Sequence, residues 1–184
     1  MTLIRYAISI VTIMAACASP AAAADLSGRK EISLVTAAGE KIAIGHVDFE
    51  RKNSGYAFKV ARSDAPFGDY FLAMRPFKCI ANAVQHVCHF PYRTSGEIRD
   101  DDLVDLEYAL MFLHKKPQEV SVDPWNGVYY KMRIVDSVIE GIAHNVDMNL
   151  VLVAPFDTPE RLIRAQDLDA ADPGSHRFPR LLIE

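Results

Sequence analysis

The chain has 184 residues, of which 24 are acidic and 20 are basic, so its net charge at pH 7 is −4. The lysines and arginines do not cluster into a basic patch, which excludes nucleic acid as an expected partner. With half of its residues hydrophobic, a chain of this length can bury the core of one domain.

The first 24 residues are typical of a secretory signal peptide. Arg5 is their only charge, and the apolar run YAISIVTIMAA and the small residues SPAAAA follow it. A short apolar run before an A-x-A site predicts cleavage between Ala24 and Asp25. Residues 25–184 then form a single exported domain, periplasmic or secreted, and the lack of an N-x-Ser/Thr sequon favours the periplasm.

A lipoprotein signal is the alternative, with cleavage before Cys17 and a lipid on its sulfur. Met14 lies three residues before Cys17, where leucine is usual in such signals. Neither this apolar run nor any later segment is long enough to span a bilayer. We therefore expect no transmembrane segment in the mature chain.

Short strands are predicted at the beginning of the mature chain. EISLVTA and KIAIGHVDFE flank the turn AGE, in which Gly39 favours a hairpin. In the second of these segments, the apolar residues before and after Gly45 are out of phase, which predicts a β-bulge. YAFKVAR alternates apolar and polar residues, as a half-buried strand does.

The segment Met74–Tyr92 contains Cys79 and Cys88, the two cysteines that remain after cleavage. DYFLAMRPFKC is predicted as a strand, IANAVQ as a connection and HVCHFPY as the returning strand. Two cysteines opposed across a hairpin in an oxidising compartment predict a disulfide. A metal site or a redox pair is the alternative, but His89 points away from His86 on a strand, and the cysteines form no C-x-x-C motif.

The segment DDDLVDLEYALMFLHKK, residues 100–116, is predicted as one buried amphipathic helix that ends at Pro117. Acidic residues at its start and basic residues at its end complement the helix dipole. At 100° per residue its apolar side chains fill two arcs, so it is expected between two layers or under a partner. Glu107 and His114 fall in the narrow sector between these arcs.

Glu107 is the candidate acid or base, because catalytic carboxylates are often buried in apolar pockets. It is also a candidate ligand-binding residue, together with His114. The structural interpretation, favoured for a single helical glutamate, is that Glu107 pairs with a cation of the adjoining sheet such as Arg75 or Arg133. Glu107 and His114 are two helical turns apart and form no dyad by themselves.

After the turn DPWNG, strands are predicted at VYYKMRIVD, SVIEGIAH and VDMNLVLVAP. Trp125 in that turn is interpreted as a cap on the core, and a ligand-binding pocket rim is the alternative. Thr158 and Pro159 are predicted to begin a helix, and RLLIE is predicted as a closing strand. The fold class is thus α+β, predominantly antiparallel β, as a curved sandwich or a small barrel with one buried helix.

The chain lacks the motifs G-x-S-x-G, H-E-x-x-H and G-x-G-x-x-G, and it has no P-loop. We expect no cofactor and no metal. This favours a non-enzymatic exported protein that binds a small or apolar ligand, or an envelope protein, on its curved sheet. The alternatives are a periplasmic hydrolase that uses Glu107 as acid or base, and a structural subunit of an envelope complex.

Overall fold

The computed structural model describes residues 25–72, 75–121, 123–152, 161–172 and 174–184. The predicted signal peptide with Cys17, and the predicted helix start at Thr158 and Pro159, lie outside the described residues. The described chain is mostly antiparallel sheet, as predicted, with two short helices, α1 Val104–Ala109 and α2 Asn149–Leu152. Its strands are β1 Gly28–Val35, β2 Lys41–Lys52, β3 Gly55–Arg62, β4 Gly68–Leu72, β5 Arg75–Ile80, β6 His86–His89, β7 Glu97–Ile98, β8 Phe112–Lys115, β9 Gly127–Val135, β10 Val138–Val146, β11 Leu168–Ala170 and β12 Arg180–Ile183.

These strands form one open sheet in the order β4-β5-β6-β8-β9-β10-β12-β1-β2-β3-β7, with β11 paired to β10 beside this path. In the described part of the chain β4 and β7 are edges that do not pair with each other, so the small barrel predicted as one option is wrong. The main core gathers side chains from most of the central strands. It includes Ile32, Leu34, Val47, Phe112, Tyr130 and Leu181.

The predicted β-bulge is confirmed. Ile32 of β1 is paired with Gly45 of β2, whereas the next residue, Ser33, is paired with Ala43. Gly45 has a φ of +155°, and a β-carbon built on it would lie 2.3 Å from the carbonyl oxygen of Ala61. Glycine is therefore required here by the backbone conformation and by the adjacent strand.

We expect Gly45→Ala to lower the free energy of unfolding by about 2 kcal/mol, because the added methyl group overlaps a fixed carbonyl oxygen. The control is Gly39→Ala in the β1–β2 turn, where φ is +86° and no atom lies within 4 Å of the built β-carbon. That variant carries only a conformational cost of about 1 kcal/mol. Urea denaturation measures both losses, and equal losses would contradict the steric explanation.

The helix predicted over residues 100–116 is longer than the observed helix, so the predicted bounds are wrong. Helix α1 ends at Ala109, and residues 112–115 form strand β8, which pairs with β6 and β9. Phe112 packs in the main core, while Leu113 packs with the disulfide on the other face of the strand. A short strand that is buried on both faces is apolar on both sides, and helical periodicity fits such a run equally well.

Two strand predictions also need correction. The segment DYFLAMRPFKC contains two strands, β4 and β5, which pair with each other. The segment VDMNLVLVAP contains helix α2, where the Asp147 side chain accepts a hydrogen bond from the Asn149 amide at 2.9 Å. An aspartate that caps the first amides in this way favours a helical turn over a strand. The closing strand RLLIE is confirmed as β12, between β1 and β10.

The predicted disulfide is confirmed, since Cys79 and Cys88 are bonded and lie opposite each other on β5 and β6. Both residues are buried, and they pack with Leu72 and Leu113. In the sheet order β4 and β5 join the remaining strands through β6. The disulfide therefore fastens a peripheral hairpin to the sheet.

Candidate functional site

A groove of about 650 Å³ lies at the end of β8, and we call it the histidine groove because His114 and His176 line it. Its volume is within the range of roughly 300–1,000 Å³ typical of small-molecule sites. Three loops form its walls. The first contributes residues from 82–85, the second contributes residues from 116–119 and 123–126, and the third contributes residues from 174–177.

The two histidines come from distant parts of the chain. His114 shares one face of β8 with Phe112, a residue of the main core. Its ring centroid lies 5.1 Å from that of His176, and the two ring planes meet at 80°. His176 is fixed in turn by Asn145 of β10, whose Oδ1 lies 2.7 Å from the His176 Nε2. The groove thus has a floor of two imidazoles that the fold holds in place.

Both imidazoles are uncharged at neutral pH. Burial and, to a smaller extent, the neighbouring His114 lower the pKa of His176 to about 4. Burial also lowers the pKa of His114, although the carboxylates Glu119 and Asp123 oppose this effect. Since a neutral imidazole has one N–H donor and one acceptor nitrogen, each ring can both donate and accept a hydrogen bond.

Hydrogen bonds between the loops fix the walls of the groove. The Asn82 Oδ1 accepts bonds from the amides of Val84 and Gln85 at 2.9 and 2.7 Å. The Gln85 side chain then crosses to the opposite loop, where it accepts from the Arg177 amide at 3.1 Å and donates to the Ser175 carbonyl at 3.5 Å. A site fixed in this way loses little conformational entropy when it binds a ligand.

Exposed apolar side chains lie on the loops around the groove. Val84 is 77 % exposed, Val120 is 82 % exposed and Trp125 is 69 % exposed. Trp125 lies in a 3₁₀ turn between Asp123 and Asn126, two residues that line the groove. The interpretation of Trp125 as a cap on the core is therefore wrong, whereas the pocket-rim alternative stays a prediction, because Trp125 itself is not among the lining residues.

Glu107 is buried, with 0 % of its surface exposed, and it lines none of the three described grooves. Its carboxylate accepts hydrogen bonds from the Tyr129 hydroxyl, from the Met132 amide at 2.7 Å and from the Lys131 ammonium at 3.3 Å. All three donors belong to β9, so Glu107 ties α1 to that strand. Arg133, suggested as a partner by the sequence, pairs elsewhere.

The sequence placed Glu107 and His114 on one helix, whereas they lie on α1 and β8, and His114 alone reaches the groove. Of the two other candidates identified from the sequence, His114 lines the groove, and Trp125 lies between two lining residues in the chain without lining the groove itself. His176 and Asn126 were missed, because they lie in segments that the sequence predicts only as loop and turn. Their position beside His114 of β8 depends on contacts between segments that are separated in the sequence.

The two histidines beside the disulfide have separate surroundings. The His89 Nε2 lies 3.0 Å from the Ala109 carbonyl oxygen, and burial lowers the pKa of His89 to about 4. His86 packs against the Tyr70 ring at 4.8 Å, and its buried Nδ1 has no hydrogen-bond partner among the described residues. Within the same ranges, no three His, Cys, Asp or Glu side chains are grouped as metal ligands.

Two further grooves are smaller than the histidine groove. One of about 160 Å³, between the β2–β3 turn, β7 and the segment before α1, contains charges that are already paired. Its Arg161 donates to Asp102 at 2.6 Å and to Asp105 at 3.3 Å. The other, of about 330 Å³, has mostly apolar walls that include Ile142 and Pro179. The histidine groove is therefore the candidate site.

No family model, no curated protein and no solved structure matches the chain. In the described ranges, no helix has the length and apolar character that crossing a membrane requires. A proposal of function therefore depends on the chemistry of the histidine groove and on the sequence pattern.

The buried neutral histidines make stability depend on pH. An unfolded histidine titrates near 6.5, whereas the pKa of His176 in the fold is about 4. The unfolded chain therefore binds more protons between these values, and the stability that is present above pH 6.5 is lost as the pH falls toward 4. We expect His176 to account for a loss of about 1 to 2 kcal/mol between pH 7 and pH 5. Urea denaturation of His176→Gln at both pH values should show a smaller loss than the unmodified protein, and an equal loss would contradict this origin.

Proposed function

We propose that the protein is an exported, non-enzymatic binding protein and that the histidine groove holds a small ligand. The observation that carries the proposal is the groove, which has two neutral imidazoles at its floor and hydrogen bonds between its walls. Exposed apolar side chains on the surrounding loops add surface for contact. Small-molecule sites combine a few fixed polar groups with apolar surface in this way.

The geometry supports binding better than catalysis. Ser175 is the hydroxyl residue that lines the groove beside His176, but its hydroxyl donates to the Asp172 carbonyl at 2.7 Å. In the described part of the chain, neither His114 nor His176 is hydrogen-bonded to a serine, a cysteine or a carboxylate, as an activated nucleophile or oriented base requires. Glu107, the acid or base of the hydrolase alternative, is buried away from the groove.

The proposal includes a curved sheet that packs in layers around α1, as in a sandwich. Helix α1 contacts both β7 and β9, which are six places apart in the sheet order. Such contacts support a sheet that curls around the helix. The curvature supports the proposal because a concave sheet with loops at its end is a common location for a ligand.

A second candidate function is a structural subunit of an envelope complex. Strand β4 is at the edge of the sheet, and its Phe71 is 67 % exposed. An unpaired edge strand offers backbone groups to which a strand of another chain can add. Sedimentation of the purified protein tests this candidate: association is expected if it holds, and a monodisperse monomer argues against it.

Export is supported by the pattern of the first 24 residues and by the disulfide, since structural disulfides persist in oxidising compartments. Expression in a bacterial host, followed by fractionation and intact-mass measurement, tests this part of the proposal. A periplasmic product that begins at Asp25 is expected. A cytoplasmic product with an intact N-terminus would contradict export, whereas a lipid on Cys17 would indicate the lipoprotein alternative.

A thermal-shift screen of the purified protein tests the groove. The compounds are sugars, amino acids, nucleosides, short peptides and fatty acids, because a ligand that binds only the folded state raises the melting temperature. We expect one class to raise it and Asn126→Ala, which changes the groove wall, to reduce the rise. Asn53→Ala, in the exposed β2–β3 turn, is the matched control and should leave the rise unchanged. No rise with any class, or a rise that Asn126→Ala leaves intact, would contradict the proposal.

A further inference from the structure

We infer that the ligand of the histidine groove is a neutral carbohydrate, a short chain of sugar rings. This inference rests on the proposed function and names the ligand class of the same site. Three properties of the groove support it: the balance of its charges, the mixture of its free donors and acceptors, and the exposed indole beside it.

The charges that line the groove nearly balance, with three cations, Lys115, Lys116 and Arg177, and two carboxylates, Glu119 and Asp123. The buried ammonium of Lys115 donates to three backbone carbonyls of the following loop. The Arg177 guanidinium donates to a backbone carbonyl at 3.3 Å and lies over an aromatic ring. The remaining charges are the Lys116 ammonium and the carboxylates of Glu119 and Asp123. Each carboxylate uses one oxygen to accept a hydrogen bond from a backbone amide. An ionic ligand would therefore gain little net electrostatic attraction.

The free polar atoms of the groove include both donors and acceptors. Among the described residues, no hydrogen bond involves the ring nitrogens of His114 or the carboxamide of Asn126, and both side chains line the groove. The second carboxylate oxygens of Glu119 and Asp123 are acceptors beside them. A hydroxyl group can donate and accept at once, so a polyhydroxyl ligand can pair with all of these atoms. A carboxylate or phosphate ligand only accepts, and it would leave the acceptors of the groove unpaired.

Trp125 does not itself line the groove, but it lies between two lining residues in the chain and exposes apolar surface on which a sugar ring that extends past the groove can stack. Its indole is 69 % exposed, and its neighbours Asp123 and Asn126 line the groove. The C–H face of a sugar can stack on an indole and bury apolar area, while the hydroxyl groups at the ring edge stay available for hydrogen bonds. The chain contains one tryptophan, so its fluorescence reports on this position alone.

The test is a fluorescence titration of the purified protein with three neutral tetrasaccharides: maltotetraose, cellotetraose and chitotetraose. We expect a saturable change in Trp125 emission with at least one of them. Asn126→Ala should weaken the affinity about tenfold, because it removes hydrogen bonds to the sugar while breaking no side-chain bond in the described structure. Asn53→Ala should keep the affinity of the unmodified protein.

The other outcomes separate two failures. If none of the tetrasaccharides gives a saturable change, the carbohydrate inference is overturned. If another compound class then raises the melting temperature in a manner that depends on Asn126, the proposed function holds and only the ligand class is wrong. If no class binds, the proposed function fails as well. An emission change that survives in Asn126→Ala places the sugar outside the groove and also overturns the inference.

Discussion

Glu107→Ala is expected to lower the free energy of unfolding by about 3 to 5 kcal/mol. The variant removes the carboxylate that accepts bonds from the Tyr129 hydroxyl and from the Met132 amide, both of which are buried. Burial, together with the nearby carboxylate, raises the pKa of Tyr129, so the hydroxyl remains a donor that needs a partner. An unpaired buried donor costs its full desolvation energy, and the cavity left by the side chain adds to that cost.

Urea denaturation measures this loss, with Glu140→Ala as the matched control. Glu140 also pairs with cations, Arg133 at 2.8 Å and Arg180 at 3.7 Å, but these pairs lie at the surface. Exposed pairs contribute about 0 to 1 kcal/mol, so the control should lose little stability. A loss below about 1 kcal/mol in Glu107→Ala would show that the carboxylate does not hold α1 against β9.

Replacement of both Cys79 and Cys88 by alanine is expected to lower the free energy of unfolding by about 2 to 4 kcal/mol. The disulfide restricts the conformations that are open to the unfolded chain. It also fastens the β4–β5 hairpin to β6. The loop between β5 and β6 supplies Asn82 and Gln85 to the wall of the histidine groove. We therefore expect β4, β5 and this loop to lose protection from hydrogen exchange before the rest of the sheet.

A reducing agent provides the control for this prediction. It should destabilise the unmodified protein by a similar amount and should leave the double alanine variant unchanged, because that variant has no disulfide to reduce. If the unmodified protein kept its stability after complete reduction, the disulfide would not be the element that secures the hairpin.

Features encoded by neighbouring residues were predictable from the sequence. The out-of-phase apolar pairs around Gly45 marked the bulge, and the placement of Cys79 and Cys88 on adjacent predicted strands marked the disulfide. In both cases the partner strands are consecutive in the chain, so local patterns determine the pairing.

Features that depend on distant partners were not predictable. Residues 112–115 form a strand because β6 and β9 provide backbone partners on both sides, and a sequence pattern alone does not reveal those partners. The contact between His114 and His176 likewise arises only when β8 and the loop before β12 meet. The buried position of Glu107 was anticipated, whereas its partners on β9 were not.

Amide NMR shift mapping, with each compound that raises the melting temperature, tests most directly whether the histidine groove binds the ligand. We predict that the largest shifts fall on residues of its three loops, including Gln85, Asn126 and His176, and that they saturate together with the indole signal of Trp125. If the largest shifts fell instead on the groove beside Ile142 or on the edge strand β4, binding in the histidine groove would be contradicted.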